Sequence, residues 1–297
     1  MIAALLAAAA IAFPKEGMRL PPVSRCYAIG SAAGATNVVV QGRDVPVYRT
    51  GGWVAMVDVS PGTNTVRAGD ASVTFFVESP KKGGAKESEK KWSKLEYAGD
   101  SPRPHPSGRK PWQITVAIDP GHGGEDTGAM TPLGRAEKDA NLAVALLLRG
   151  ELTRRGYGVV MTRVDDSFPA LYDRPKTAHA NGADAFVSIH HNAPPFDRDP
   201  RQLRYTAVYA WNGIGERLAK SINSRMTAAF GGSPRNNGVM HANFAVTRNS
   251  EIPSCLVEVD FITTPEGEEA CWDPERVRRT AVAIADGICD WASMRQF

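Results

Sequence analysis

The sequence predicts an α/β fold, a mainly parallel sheet flanked by helices, preceded by a small all-β module. Three observations carry this. From Trp112 onward, short apolar runs alternate with stretches at helical spacing, the pattern of a parallel sheet covered by helices. Before residue 80 the chain shows only short strand-like runs divided by Gly, Pro and Asn turns. Between residues 80 and 111 it turns charged and Pro-rich, too polar to bury much and locally stiffened by proline, which is the composition of a linker.

The 297 residues suffice for one large domain or two smaller ones with ample core. A formal charge of +3 is small for this length and does not point to nucleic acid as a partner. In chain order, residues 1–13 are almost all Ala, Leu and Ile. That run is too short to span a bilayer and has the length of a signal-peptide core. Residues 1–17 are therefore read as an export leader, although no Lys or Arg precedes Lys15. The mature chain is expected to carry no membrane span and to reside in the periplasm or cell envelope. Cys26, Cys255, Cys271 and Cys289 form no CxxC pair; after export Cys255 with Cys271, or Cys271 with Cys289, could form a disulfide, and free buried thiols are the plainer expectation. Residues 23–79 form the β-module, with strands near 36–40, 45–48, 53–59, 65–68 and 72–77. Its Val38-x-Val40-x-Gly42 turn and Pro61-Gly62-x-Asn64 step resemble bacterial immunoglobulin-like modules. Such a module binds wall polymer or a protein partner, or serves as a spacer.

Residues 112–297 form the α/β domain. Its first strand, ending at Ile118, runs into Asp119-Pro120-Gly121-His122-Gly123-Gly124, a turn that sets an imidazole on a glycine-rich loop. A helix over about 138–155 follows, with Leu142, Ala145, Leu146 and Leu152 at helical spacing and Gly156 ending it. Strands are expected near 157–162, 185–189, 203–210 and 254–257, and helices near 171–180, 214–230 and 274–291.

Three of the apolar strands end in residues capable of site chemistry. The first delivers His122, the second His190-His191-Asn192, and the third Glu258. Neighbouring parallel strands end on one edge, so these side chains can converge. Glu137 opens the helix after the first loop and can fold over the same edge. Two His and one Glu make a zinc set for hydrolysis, three protein ligands with a position left for water. A second carboxylate must then move the proton of that water to the leaving nitrogen, and Glu258 suits this role by placement. His190 and His191 point to opposite faces of a strand, and position favours His190 as the ligand.

Several stretches in register resemble the zinc-dependent N-acetylmuramoyl-L-alanine amidases of bacterial cell walls, from about residue 114 to the C-terminus. They are Ile118 to Gly124, Glu137-Lys138-Asp139 with Asn141-Leu142, Thr162-Arg163, Leu171 and Arg174 with Ala180-Asn181. Ser188 to Ala193, Pro253, and Leu256-Val257-Glu258 with Phe261 complete them. The resemblance implies one zinc ion held by His122, Glu137 and His190, with Glu258 as the catalytic carboxylate. It implies peptidoglycan as substrate and release of stem peptides by hydrolysis of the muramoyl–L-alanine amide. His241, Arg248 and Asn192 are candidate substrate contacts, with Asn249 beside them. Two positions depart from the family pattern: Asp260 stands where Gly is usual, and Thr264 where Asn is common. An inward-pointing Asp260 would raise the pKa of Glu258. The loop from Asn192 to the strand near Leu203 is short, so an uncovered site is expected. The competing readings are a non-catalytic wall-binding or regulatory protein on the same scaffold, and a zinc hydrolase of another amide.

Overall fold

The computed structural model describes residues 8–80, 105–211, 213–232, 234–248 and 251–294. The N-terminal module contains β1 (Ala10–Phe13), β2 (Arg19–Leu20), β3 (Arg25–Ser31), β4 (Asn37–Val40), β5 (Arg43–Pro46), β6 (Gly52–Asp58), β7 (Gly62–Ala68) and β8 (Ala71–Val77). They form two sheets, ordered β1-β3-β6 and β2-β8-β7-β4-β5. The inner faces of the two sheets meet, so Leu20, Ile29, Trp53 and Phe75 share one core, and β3 and β6 are buried along most of their length.

The α/β domain follows with β9 (Thr115–Pro120), α1 (Glu137–Arg154), β10 (Gly158–Met161), α2 (Asp173–Ala180), β11 (Ala185–Asn192), β12 (Tyr205–Ala210), α3 (Gly213–Phe230), β13 (Arg235–His241), β14 (Ser254–Phe261), α4 (Pro265–Trp272) and α5 (Pro274–Ser293). The sheet order is β10-β9-β11-β14-β12-β13. The first four strands are mutually parallel, while β12 runs antiparallel to β14 and carries β13 parallel to itself. On one face Ile118, Val187 and Val257 pack against Leu148 of α1, Leu218 and Ile222 of α3, and Ile284 and Ile288 of α5. On the other, Ala117, Phe186 and Leu256 meet Ala178 of α2 with Val246 and Ile252. Burial on both faces explains why these strands read as unbroken apolar runs. Each such Leu, Ile or Val contributes roughly 1.5–3 kcal/mol.

The expected boundaries move at two places. Ala10–Phe13, inside the segment read as a leader, is a strand paired with β3, and Phe13 is buried against Tyr27 with ring centroids 4.6 Å apart. A cut after residue 17 would strip β1 from its sheet, so the module starts upstream of residue 23; residues 1–7 lie outside the described residues. Most of the expected linker, 81–104, also lies outside them. Its end does not behave as a linker: His105 packs edge-on against Trp291 of α5, and Arg109 pairs with Asp184. In the module β1, β2 and β3 escaped prediction, and in the α/β domain β13 and α4 did. The polar edge strand β13 has no buried alternation. The two-turn α4 starts where Thr264 Oγ1 accepts from Gly267 N at 3.0 Å, so Thr264 caps a helix as Asn can. All four cysteines are free thiols.

Candidate metal centre and active-site cleft

The loop after β9 is held by two buried arginines. Arg163 donates to the carbonyls of Pro120 and Gly121, at 2.9 and 2.8 Å. Arg174 donates to those of Pro120 and His122, both at 2.9 Å. Arg174 also pairs at 2.9 Å with Asp119, whose carboxylate accepts from Thr162 and Ser188 as well. This grip matters because His122 has φ +62°, a left-handed conformation that costs a non-glycine residue about 1–3 kcal/mol. Gly121 has no such strain, but a Cβ there would sit 2.2 Å from the His190 ring. Only glycine lets the two histidines approach.

Their ring centroids are 4.9 Å apart, nearly perpendicular. Each turns a nitrogen to Glu137 Oε1: Nε2 of His122 at 3.2 Å and Nδ1 of His190 at 3.0 Å. The three donor atoms lie within 4.8 Å of one another. Glu137 opens α1 and is buried; its Oε2 accepts from Ala129 N at 2.9 Å and its Oε1 from Asn141 Nδ2 at 3.2 Å. On the far side of His122, Nδ1 meets Asp126 Oδ2 at 2.8 Å. Burial opposes the charged ring, yet Glu137 and Asp126 overcome it and His122 is raised to about 9. Burial likewise opposes ionised Glu137, yet His122 and His190 hold it well below the usual carboxylate range. Ring and carboxylate shift in opposite directions because each stabilises the charged form of the other; a divalent cation held there would take the place of the ring proton. Two imidazoles and one carboxylate, with solvent reaching both rings, suit zinc best among common ions.

Glu258 stands opposite His190 in the β11–β14 register. Its Oε2 is shielded from solvent and has no hydrogen-bond partner. Burial pushes its carboxyl up to about 7; His190 and His122 pull the other way and Glu137 adds to the rise. Asp260 takes no part: Arg204 binds it bidentately at 2.9 and 2.8 Å, and Arg276 approaches at 3.4 Å. The register slip between the His190 and Asn192 pairings turns it away from Glu258. A cavity of about 510 Å³, lined by Phe168, Leu171, Phe244, Val246 and Leu256, opens onto His122, His190 and Glu258. A second, of about 400 Å³, reaches His122 and Glu137 from the side of the β-module.

His191 is buried, hydrogen-bonded through Nδ1 to Asn141 Oδ1 at 2.8 Å, and pushed down to about 4 by burial, so it stays neutral behind the cluster. The other substrate-contact expectations fare differently. Asn192 ends β11, half-buried, its carbonyl accepting from Ile262 N. His241 does not join the cleft. It is exposed at the end of edge strand β13, because the reversal at β12 carries that end level with the start of β14. Arg248 is half-buried and outside both cavities, and Asn249 lies outside the described residues. Asp126, four residues beyond His122 in the loop, was missed; a carboxylate at that reach from a ligand imidazole is its signal. Arg163 and Arg174 stood out only as part of the family pattern; their hold on backbone carbonyls was not legible in the sequence.

The chain's residues 116–290 match the family model for N-acetylmuramoyl-L-alanine amidase. It is 37% identical over 174 residues to the uncharacterized protein YqiI of Bacillus subtilis, spanning 59% of this chain and 82% of that one. It is 35% identical over 177 residues to the N-acetylmuramoyl-L-alanine amidase LytC of Bacillus subtilis, spanning 60% of this chain but only 35% of LytC. The structure of N-acetylmuramoyl-L-alanine amidase AmiC2 of Nostoc punctiforme superposes with a TM-score of 0.57 at 34% identity, over 60% of this chain and 97% of that one. The family match leaves residues 1–115 outside it. With more than half its length matched, this chain belongs to the N-acetylmuramoyl-L-alanine amidase family.

Proposed function

We propose that the protein is a zinc-dependent hydrolase of peptidoglycan in the cell envelope, with residues 10–17 retained in its β-module, which cleaves the amide between N-acetylmuramic acid and L-alanine and frees stem peptides. The observation that carries this reading is the convergence of three donor atoms within 4.8 Å, beside a carboxyl group held near neutrality. His122, Glu137 and His190 would hold the ion, with Asp126 and Asn141 fixing His122 and Glu137. Zinc in such a site supplies Lewis acidity, acidifying water and polarising the scissile carbonyl. Glu258 does the proton work. A carboxyl near 7 exchanges protons readily at neutral pH, so it takes one from the attacking water and passes it to the departing L-alanine nitrogen. The catalytic centre lies where the cleft meets the carboxyl ends of β9, β11 and β14.

The test is muropeptide release from purified peptidoglycan by wild type and Glu258→Gln, each assayed for bound zinc. The expected result is stem peptides with a free L-alanine amino group from wild type. The mutant keeps its zinc and loses about 10²–10⁴-fold in rate. If zinc is bound and wild type releases nothing, the catalytic reading falls, and a wall-binding role on this scaffold takes its place.

A further inference from the structure

We propose that the β-module is part of the active site: the cavity it closes beside the metal cluster is the subsite for the stem peptide, and Lys15 reads that peptide's carboxylate. This rests on the peptidoglycan amidase reading above.

The module docks on the loop after β11. Tyr27 N donates to Phe196 O at 3.0 Å, Arg25 Nε to Asp197 O at 3.1 Å, and Phe13 stacks on Phe196 with centroids 5.7 Å apart and planes 5° from parallel. Arg49 pairs with Glu269 before the closing helix. Lys15 reaches the loop after His122, where its Nζ donates to Thr127 Oγ1 at 2.9 Å. Between these contacts lies the cavity of about 400 Å³. Phe13, Met18 and Tyr27 line it from the module, Met130 and Pro194 from the α/β domain, and His122 and Glu137 close its inner end. A substrate whose scissile carbonyl lies over the cluster therefore sends one arm into this cavity and the other into the cleft past Glu258.

Charge decides which arm goes where. In the intact substrate the lactyl carboxyl is tied up in the amide, so the glycan brings no charge, while the peptide ends in carboxylate. The cleft past Glu258 is lined by Asp119, Asp126 and Glu258, and its arginine, Arg174, is already paired to Asp119. The module-side cavity has Lys15 at its rim, exposed. An anionic peptide therefore favours the module side, and its aliphatic side chains suit the walls of Phe13, Met18 and Met130.

The test uses the full chain with zinc and two soluble muropeptides that differ only in the stem peptide: free carboxylates in one, carboxamides in the other. Wild type is expected to favour the carboxylate form in kcat/KM. Lys15→Met should reduce that preference about threefold to fivefold, as one solvated ion pair allows, and Lys15→Glu should invert it. Binding of the released carboxylate peptide to zinc-loaded Glu258→Gln, by calorimetry, should weaken by the same factor when Lys15→Glu is added. If the chain cleaves both substrates and the preference ignores Lys15, the subsite assignment is overturned while the amidase reading stands. If neither substrate is cleaved, the amidase reading falls, and calorimetry alone decides whether the cavity takes an anionic peptide. Equal loss on both substrates would make Lys15 a mere docking contact and also overturn the proposal.

Discussion

The centre of the sheet and its β12–β13 edge are built from the same kind of strand, yet they place their end residues differently. At the centre, β9, β11 and β14 run parallel and bring His122, His190 and Glu258 to one edge. At the edge, β12 reverses and β13 follows it, so His241 emerges at the other end, exposed. The two regions also differ in how firmly they are held. The loop bearing His122 has its carbonyls taken by Arg163 and Arg174, both buried. The polar strand β13 is at most half-buried along its length. Residue type alone does not make a site; strand direction and the fixing of the backbone do.

The sharpest way to break this comparison is to remove the grip. Arg174→Met leaves Asp119 buried without its cation and the His122 carbonyl unserved, and should destabilise the domain by about 3–5 kcal/mol. Arg225→Met, which removes a solvent-screened pair with Asp290 at the surface, should barely move the midpoint. Chemical denaturation of both variants measures the contrast, and similar midpoints would show that the buried pair does not stiffen the loop. Next in size is Asp126→Asn. It keeps a group beside His122 Nδ1 but removes the charge, so zinc affinity should fall about 10–100-fold, read by chelator competition. An unchanged affinity would show that the loop backbone alone orients the ring.

Legibility in the sequence followed the same division. The central strands could be read because burial on both faces makes them continuously apolar, and their ends carry rare residue types on a glycine-rich turn. Glu137 was legible as the start of α1. The reversal at β12 was not, since an apolar strand reads identically in either direction, and His241 was misplaced with it. The place of residues 10–13 in the sheet was also hidden. A run of Ala and Ile serves a leader or a sheet equally well, and only its pairing with β3 separates them. Asp260 was legible as a departure from the family pattern but not in its consequence, because Arg204 lies 56 residues away in sequence.

Titration of the metal-free protein sharpens the comparison further, because the centre of the sheet should be sensitive to pH. Glu258 rises from an ordinary 4.5 to about 7 in the fold, so its contribution to stability is complete below pH 4.5 and is lost as pH rises through 7. His122 rises from 6.5 to about 9, so its contribution is complete below 6.5 and lost through 9. Glu137, held below its ordinary value, contributes above pH 4.5 and stays constant across this window. Metal-free wild type should therefore lose thermal stability from pH 5 to 9. Glu258→Gln should lose less between 5 and 8, because its first leg is gone. Parallel melting curves for the two proteins would mean that Glu258 is not held protonated by burial.

The smallest expected effect belongs to the edge. His241→Ala removes an imidazole that is exposed and outside both cavities, on a strand whose end has been carried away from Glu258. Release from peptidoglycan should stay within about twofold of wild type, and stability within about 0.5 kcal/mol, as for surface substitutions away from special features. A loss of tenfold or more would mean that the substrate extends along the sheet past Leu256 to the end of β13. The cleft already points that way, since Phe244 and Val246 line it just beyond His241 in sequence. That result would join the edge to the centre as one binding surface, with strand reversal setting the length of the substrate rather than excluding His241 from it.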